Sequence, residues 1–183
     1  MLYSSAQPRI RVRVAQSFRY VGTHRFRLLE VAEAEIVYFA AAREGRIERS
    51  FHAQFERFLD HVDDMYRYRL QGSMQLGEHA YMFDTHVVNA SEEARNSQDS
   101  DVAHKRAWLE SRGYTLPDTI AIHRFARILG DRRRHELLLL YEEAISADRY
   151  EALDAAGRES GAWREMEESL RRHALRSFAV LEG

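Results

Sequence analysis

A chain of 183 residues with 45% hydrophobic and 11% aromatic side chains carries enough apolar mass for one well-filled core, which excludes an intrinsically disordered protein. Its charged residues, 31% of the total, nearly cancel to a formal net charge of −2, so no bulk field draws it to nucleic acid or an anionic membrane. The lack of cysteine excludes disulfides, thiolate metal sites, iron–sulfur clusters and a cysteine nucleophile, and no apolar run approaches the ~20 residues that span a bilayer as a helix.

Residues 1–8 read as a disordered N-terminal tail. Ser4, Ser5 and Ala6 before Gln7 and Pro8 look like the small-residue end of an export signal. The reading favours a bacterial cytoplasmic protein, with periplasmic export as the alternative if the chain begins near a cleavage site. Lys105 is the only lysine among 27 basic residues, a bias of the kind a GC-rich bacterial genome produces.

Arg9 to Val14 alternates arginine with Ile10, Val12 and Val14, the pattern of a half-buried strand. It runs on towards Phe18 and Tyr20, and Gly22 permits a turn. Arg25 to Val31 alternates again. Ile36 to Ala41 is an apolar run that suits a strand covered on both faces. Arg43-Glu44-Gly45 is a turn, and Arg46 to Leu59 is a long strand. Ile47, Phe51, Ala53 and Phe55 share one of its faces with Arg49; Glu48, Ser50, His52, Gln54 and Glu56 share the other.

Asp60 to Asp64 interrupts the pattern, and Tyr66 to Leu70 resumes it. Gly72 and Gly77 bracket a short piece, and His79 to Val88 is another strand. Asn89 to Asp101 is a polar loop with some helical character. Asp101 to Arg112 reads as a helix capped by Ser100 or Asp101 and closed at Gly113. Thr119 to Leu129 and His135 to Glu143 form a hairpin around Asp131 and Arg132, a register that sets His123 near Leu140 and His135 near Ile128. Ser146 caps a helix to about Ala156. A final helix from about Ala162 to Leu181 gathers Trp163, Met166, Leu170, Ala174, Phe178 and Leu181 on one stripe.

Seven or eight strands in sequence, short connections and no βαβ alternation predict a single α+β domain over residues 1–183. Its expected body is an antiparallel sheet curled into a half-barrel or barrel, with a C-terminal amphipathic helix packed on it. The order of elements resembles calycin-type barrels and helix-grip ligand-binding domains in architecture alone, without a motif of either.

No glycine-rich phosphate loop, nucleophile elbow or zinc-protease motif is present. Chemistry is therefore sought in clusters. The stripe Glu48, Ser50, His52, Gln54, Glu56 is either the solvent face of its strand or the lining of a polar cavity. In the second case His52, Gln54 and Glu56, joined by Tyr68 or His86, form a ligand site or a metal- or His/Glu-dependent active site. Asp60, His61, Asp63 and Asp64 are a candidate metal loop, though without the spacing of a calcium-binding hand. Arg132, Arg133 and Arg134 make a basic hairpin tip, and nine aromatics from Tyr38 to Phe83 could fill a core or line a pocket.

The sequence assigns no cofactor. Its leading expectation is a protein that binds a small apolar molecule inside the curled sheet. Beside that stand an enzyme at the His52/Glu56 stripe and a protein-interaction module without a pocket. A homodimer through an edge strand is the expected assembly partner; nucleic acid and a membrane span are not expected.

Overall fold

The structure is a computed structural model that describes residues 2–4, 8–68 and 70–181. Its centre is a seven-stranded antiparallel sheet in the order β3 (Arg19–Leu28), β4 (Ala32–Arg43), β5 (Arg46–Phe58), β9 (His135–Ala144), β8 (Thr119–Leu129), β7 (His79–Asn89) and β6 (Gly72–Leu76). A second, three-stranded sheet joins β1 (Leu2–Ser4), β2 (Ile10–Val14) and β10 (Phe178–Leu181). Four helices complete the fold: α1 (Ala90–Asn96), α2 (Asp101–Ser111), α3 (Ala147–Ala156) and α4 (Gly161–Ser177).

The α+β class, the antiparallel pairing and the amphipathic helix on the sheet stand as expected; closure into a barrel does not. The sheet is open, and its edge strands β3 and β6 are not paired with each other. The reason is that it is covered twice. Strands β5, β8 and β9 are buried in unbroken runs that include both faces, which makes the sheet a middle layer, not a shell around an interior. On one face, Phe51, Ala53, Phe55, Phe125, Leu137, Leu139 and Tyr141 pack with Trp163, Met166, Leu170 and Ala174 of α4 and with the small sheet. On the other, Ile36, Tyr38, Ile122, Leu138 and Leu140 pack with Val102, Trp108 and Leu109 of α2.

Several local differences have simple causes. Leu2–Ser4, expected in a disordered tail, is strand β1 paired with Ile10–Val12, while residues 1 and 5–7 of that tail lie outside the described residues. Gly22 makes no turn: it sits inside β3 beside a bulge at Val21, with φ +152°. A Cβ there would come within 3.1 Å of the Trp108 ring. A second bulge at Glu48 turns Ile47 onto the α2 face, away from Phe51, because Ala41 and Ala42 pair with Arg49 and Ile47. Tyr66–Tyr68 lies across the sheet without strand pairing.

The β8–β9 register is one residue off the expected one, with His123 opposite Tyr141 and His135 opposite Leu129. Positive φ at Gly130 (70°) and Arg133 (52°) centres the loop on Arg132. The last helix stops at Ser177, and Phe178–Leu181 continues as β10 on the edge of β2. Phe178 and Leu181 keep helical spacing in the sequence, so periodicity alone could not reveal that a strand edge was waiting.

If α4 and β10 close this core, a chain ending at Gly157 loses Trp163, Met166, Leu170, Ala174 and Phe178 from one packed cluster. It is expected to show no sharp thermal transition by circular dichroism, whereas Leu170→Ala in the full chain should cost about 2–5 kcal/mol in denaturant unfolding.

Candidate functional site

Two-residue spacing carries Ser50, His52, Gln54 and Glu56 of β5 onto the α2 face, and β9 sets Glu142, Leu140, Leu138 and Glu136 directly opposite them. The stripe is neither a solvent face nor the wall of an open cavity. Ser50, His52, Gln54 and Glu56 are exposed by only 1%, 1%, 2% and 7%, and they are packed. Polar groups in such a place need partners, and the two ends of the ladder find them differently.

At one end Glu142 accepts hydrogen bonds from the Lys105 ammonium (2.5 Å) and the Ser50 hydroxyl (2.7 Å). Burial alone would raise the Glu142 carboxyl, but Lys105, His52 and the Ser50 hydroxyl together bring it down to about 2. His52 stacks on Tyr38 with ring centroids 5.2 Å apart, and burial holds its imidazole down to about 3, so the ring is neutral. Its Nδ1 has no partner among the described residues. A base so weak does not serve proton abstraction near neutral pH.

At the other end Glu56 and Glu136 are Cα partners across β5 and β9, and their carboxyl groups hydrogen-bond to each other. Burial pushes both upward, and the Glu56 charge helps bring Glu136 to about 8. Near neutral pH the two acids therefore share a proton. Gln54 Nε2 donates to Glu56 Oε1 (2.5 Å), the Tyr66 hydroxyl donates to Glu56 Oε2 (3.1 Å), and the Tyr68 hydroxyl donates to Glu136. Both phenols are held well above their ordinary range, by burial first and by these carboxyls next. They stay neutral donors.

Beside this pair, Arg124 of β8 grips both carboxylate oxygens of Asp84 of β7 at 2.8 Å each, and its guanidinium lies 6.0 Å from the Tyr68 ring centroid. His86 Nδ1 stands 3.9 Å from Asp84, and burial lowers its imidazole.

The segment 59–68 that carries the two tyrosines is held from the hairpin tip. Arg134 donates to the carbonyls of Leu59 (2.7 Å) and Val62 (2.5 Å), and the Tyr66 amide donates to the Arg133 carbonyl (2.9 Å). The basic tip is therefore part of the fold, with Arg134 satisfying backbone acceptors that the irregular segment leaves open.

Of the residues singled out from sequence, the structure brings Gln54, Glu56 and Tyr68 together and leaves His52 and His86 with other partners. Asp60, His61, Asp63 and Asp64 lie in an exposed turn. Asp60 pairs with Arg57 (3.2 Å) and Asp64 accepts from the Met65 amide (2.7 Å). Among the described residues no three His, Asp or Glu side chains converge to hold a metal ion. Sequence reasoning missed Glu136, Tyr66 and Lys105. Lys105 had a signal: with Val102 and Leu109 it lies on the buried stripe of α2, so the one lysine occupies a core position.

An open concavity lies elsewhere, on the α4 face where α4 does not reach. Two rows cross the strands there, Arg25–Glu35–Phe55 and Arg27–Glu33–Arg57–His135, and they line an open cleft of about 680 Å³. Phe55 and the backbone of Phe26, Ala34 and Glu56 form its floor. Arg57 is fixed by Glu33 (2.8 Å) and Asp60, and Arg25 pairs with Glu35. Burial, with Arg57 and Arg134 nearby, lowers the His135 imidazole.

No family model matches the chain, and comparison with curated proteins and with solved structures finds no match.

Two measurements check the buried electrostatics. Lys105→Met strands the Glu142 charge and should cost about 3–5 kcal/mol, while Lys105→Met with Glu142→Leu should recover most of it in a double-mutant cycle. The acid pair has the opposite pH signature to an ordinary ion-paired carboxylate. The native state keeps a proton that the unfolded chain loses above 4.5, so stability falls as pH rises from about 4.5 to about 8 and then levels. Glu136→Gln should flatten that slope in urea titrations at pH 5, 6.5 and 8.

Proposed function

We propose that this chain binds a small molecule with an apolar body and an acidic end in the cleft at the β3–β4–β5 end of the sheet. The observation that carries the reading is the cleft itself: about 680 Å³, an apolar floor at Phe55, and a rim of Arg25, Arg27 and Arg57. That volume lies within the range usual for small-ligand sites, ~300–1,000 Å³, and Phe55 gives the strongly charged rim an apolar floor. The sequence-based expectation of an apolar ligand inside a barrel changes accordingly. The aromatic interior is filled on both faces, so the ligand lies on the sheet, and what curl the sheet has serves as the hollow of this end.

The rim favours an acidic group. Arg25, Arg27 and Arg57 outnumber Glu33 and Glu35, and His135 is held towards its neutral form, leaving it able to accept as well as donate. Arg57 is already oriented by Glu33, so a carboxylate or phosphate oxygen meets a guanidinium that loses little freedom on binding.

A second reading, acid–base catalysis, is favoured by one observation: the Glu56–Glu136 pair retains a proton near neutral pH, beside two neutral phenols. It would require segment 59–68 to move aside, since both carboxyls are buried.

Native mass spectrometry of the purified protein, followed by denaturation, tests the main reading. A mass excess that disappears on denaturation is the expected result. Its occupancy should fall about 10–100-fold on Arg27→Ala or Arg57→Ala, the usual loss for a charge-assisted contact. A bound species retained equally by both variants would overturn the cleft as its site. A chemically altered molecule after incubation would favour catalysis, and an unliganded dimer would favour an interaction module.

A further inference from the structure

Glu56 and Glu136 face each other on adjacent strands, and the two hydroxyls that cap them belong to the same irregular segment. Outside the caps, that segment is held at its start and at Tyr66: the Leu59 amide donates to the Val31 carbonyl (2.9 Å), Arg57 pairs with Asp60, Arg134 donates to Leu59 and Val62, the Tyr66 amide donates to the Arg133 carbonyl (2.9 Å), and Phe58 packs on Tyr66 with centroids 4.6 Å apart. Its middle, Asp63 to Met65, is exposed. We propose that the acid pair and its two tyrosine caps form a proton-operated latch: while the pair shares a proton segment 59–68 is closed over it, and loss of that proton releases the segment.

The physical case is one of charge count in a confined place. With one proton shared, the pair carries a single negative charge, distributed over four oxygens that accept from Gln54, Tyr66 and Tyr68. Removing the proton leaves two carboxylates hydrogen-bond distance apart in a buried position, with no hydrogen between them. The charges facing them from each neighbouring element do not compensate. Arg124 of β8 lies on the Glu136 side but is committed to Asp84, and Asp101 of α2 adds negative charge towards Glu56. Within the strap Tyr66 and Tyr68 remain neutral and Arg67 between them is exposed, while Arg134 of the β8–β9 loop is occupied by backbone carbonyls. Hydration is then the cheapest relief, and water reaches the carboxylates once the tyrosines lift.

The latch does not rest on the cleft being a ligand site, and its test needs no ligand. Because the chain has no cysteine, Asp63→Cys takes a single nitroxide label at an exposed position of the segment. The label's mobility is read by electron paramagnetic resonance between pH 6 and pH 9.5, with far-UV circular dichroism to show that the sheet stays folded. The expected result is a slow-motion spectrum at pH 6 and a ratio of mobile to slow populations that grows about tenfold per pH unit through a midpoint near 8, as a one-proton transition requires. In the labelled protein carrying Glu136→Gln the spectrum should remain slow throughout; Glu56→Gln should do the same, so the inference survives if one variant folds poorly. A mobility independent of pH in the parent protein would overturn the latch, as would an unchanged midpoint in both Gln variants. Tyr68→Phe should shift the midpoint to lower pH, because it removes a hydrogen bond that only the closed, proton-sharing state makes, while the open pair is hydrated either way; a midpoint unmoved by this change would assign the transition to some other group.

Discussion

Burial of the β5–β9 ladder on both faces is the constraint on which the rest of this structure depends. A sheet open to water on one side could leave Ser50, His52, Gln54 and Glu56 hydrated. Here α2 and segment 59–68 cover that side while α4 and the small sheet cover the other. The ionisable carboxyls of the ladder must then be satisfied by other side chains, while His52 stays neutral with its Nδ1 unpartnered among the described residues. The helices and the strap are therefore tied to the sheet by specific polar contacts as well as by apolar packing.

The two ends of the ladder solve the same problem in different currencies. Glu142 keeps its charge because Lys105 arrives from α2 with an opposite one, backed by the Ser50 hydroxyl. Glu56 and Glu136 receive no such cation, so a proton takes its place and the tyrosines supply hydrogen bonds. An ion pair of the first kind is insensitive to pH across the neutral range, since the carboxyl is held at about 2. A shared proton is sensitive there by construction. The difference traces to one residue type at one helical position: a lysine on the buried stripe of α2, against an aspartate, Asp101, at its start.

The sequence was informative wherever local rules decide the outcome. The serine caps at Ser100 and Ser146, the long β5, the β8–β9 hairpin and the stripe of α4 through Ala174 all rest on neighbours within a few residues. It was uninformative where distant segments decide. Nothing near Glu56 announces Glu136, because β5 pairs with β9 across about eighty residues of chain. Ala32 to Glu35 alternates alanine with glutamate, both poor strand formers, yet extends β4 because β3 and β5 flank it. Phe178–Leu181 fits a helix by spacing and becomes a strand because β2 offers an edge. The stripe itself was visible as a period-2 pattern, but whether it faced water depended on a second cover that no local pattern encodes.

The cleft and the acid pair are connected through the end of β5. Glu56 contributes backbone to the cleft floor and its carboxyl to the pair on the opposite face, while the next residue, Arg57, points into the cleft and holds Asp60 at the start of the strap. His135 lines the cleft one residue before Glu136 and one residue after Arg134. Strands alternate their side chains between faces, so consecutive residues report on both sides of the sheet at once. A ligand that draws Arg57 away from Asp60 removes one of the strap's fixings, and a strap that lifts frees Arg57 to reorient. By linkage, any such effect is reciprocal: a ligand that draws Arg57 away from Asp60 loosens the strap's hold on the shared proton, and a proton that closes the strap weakens that ligand's binding by the same factor.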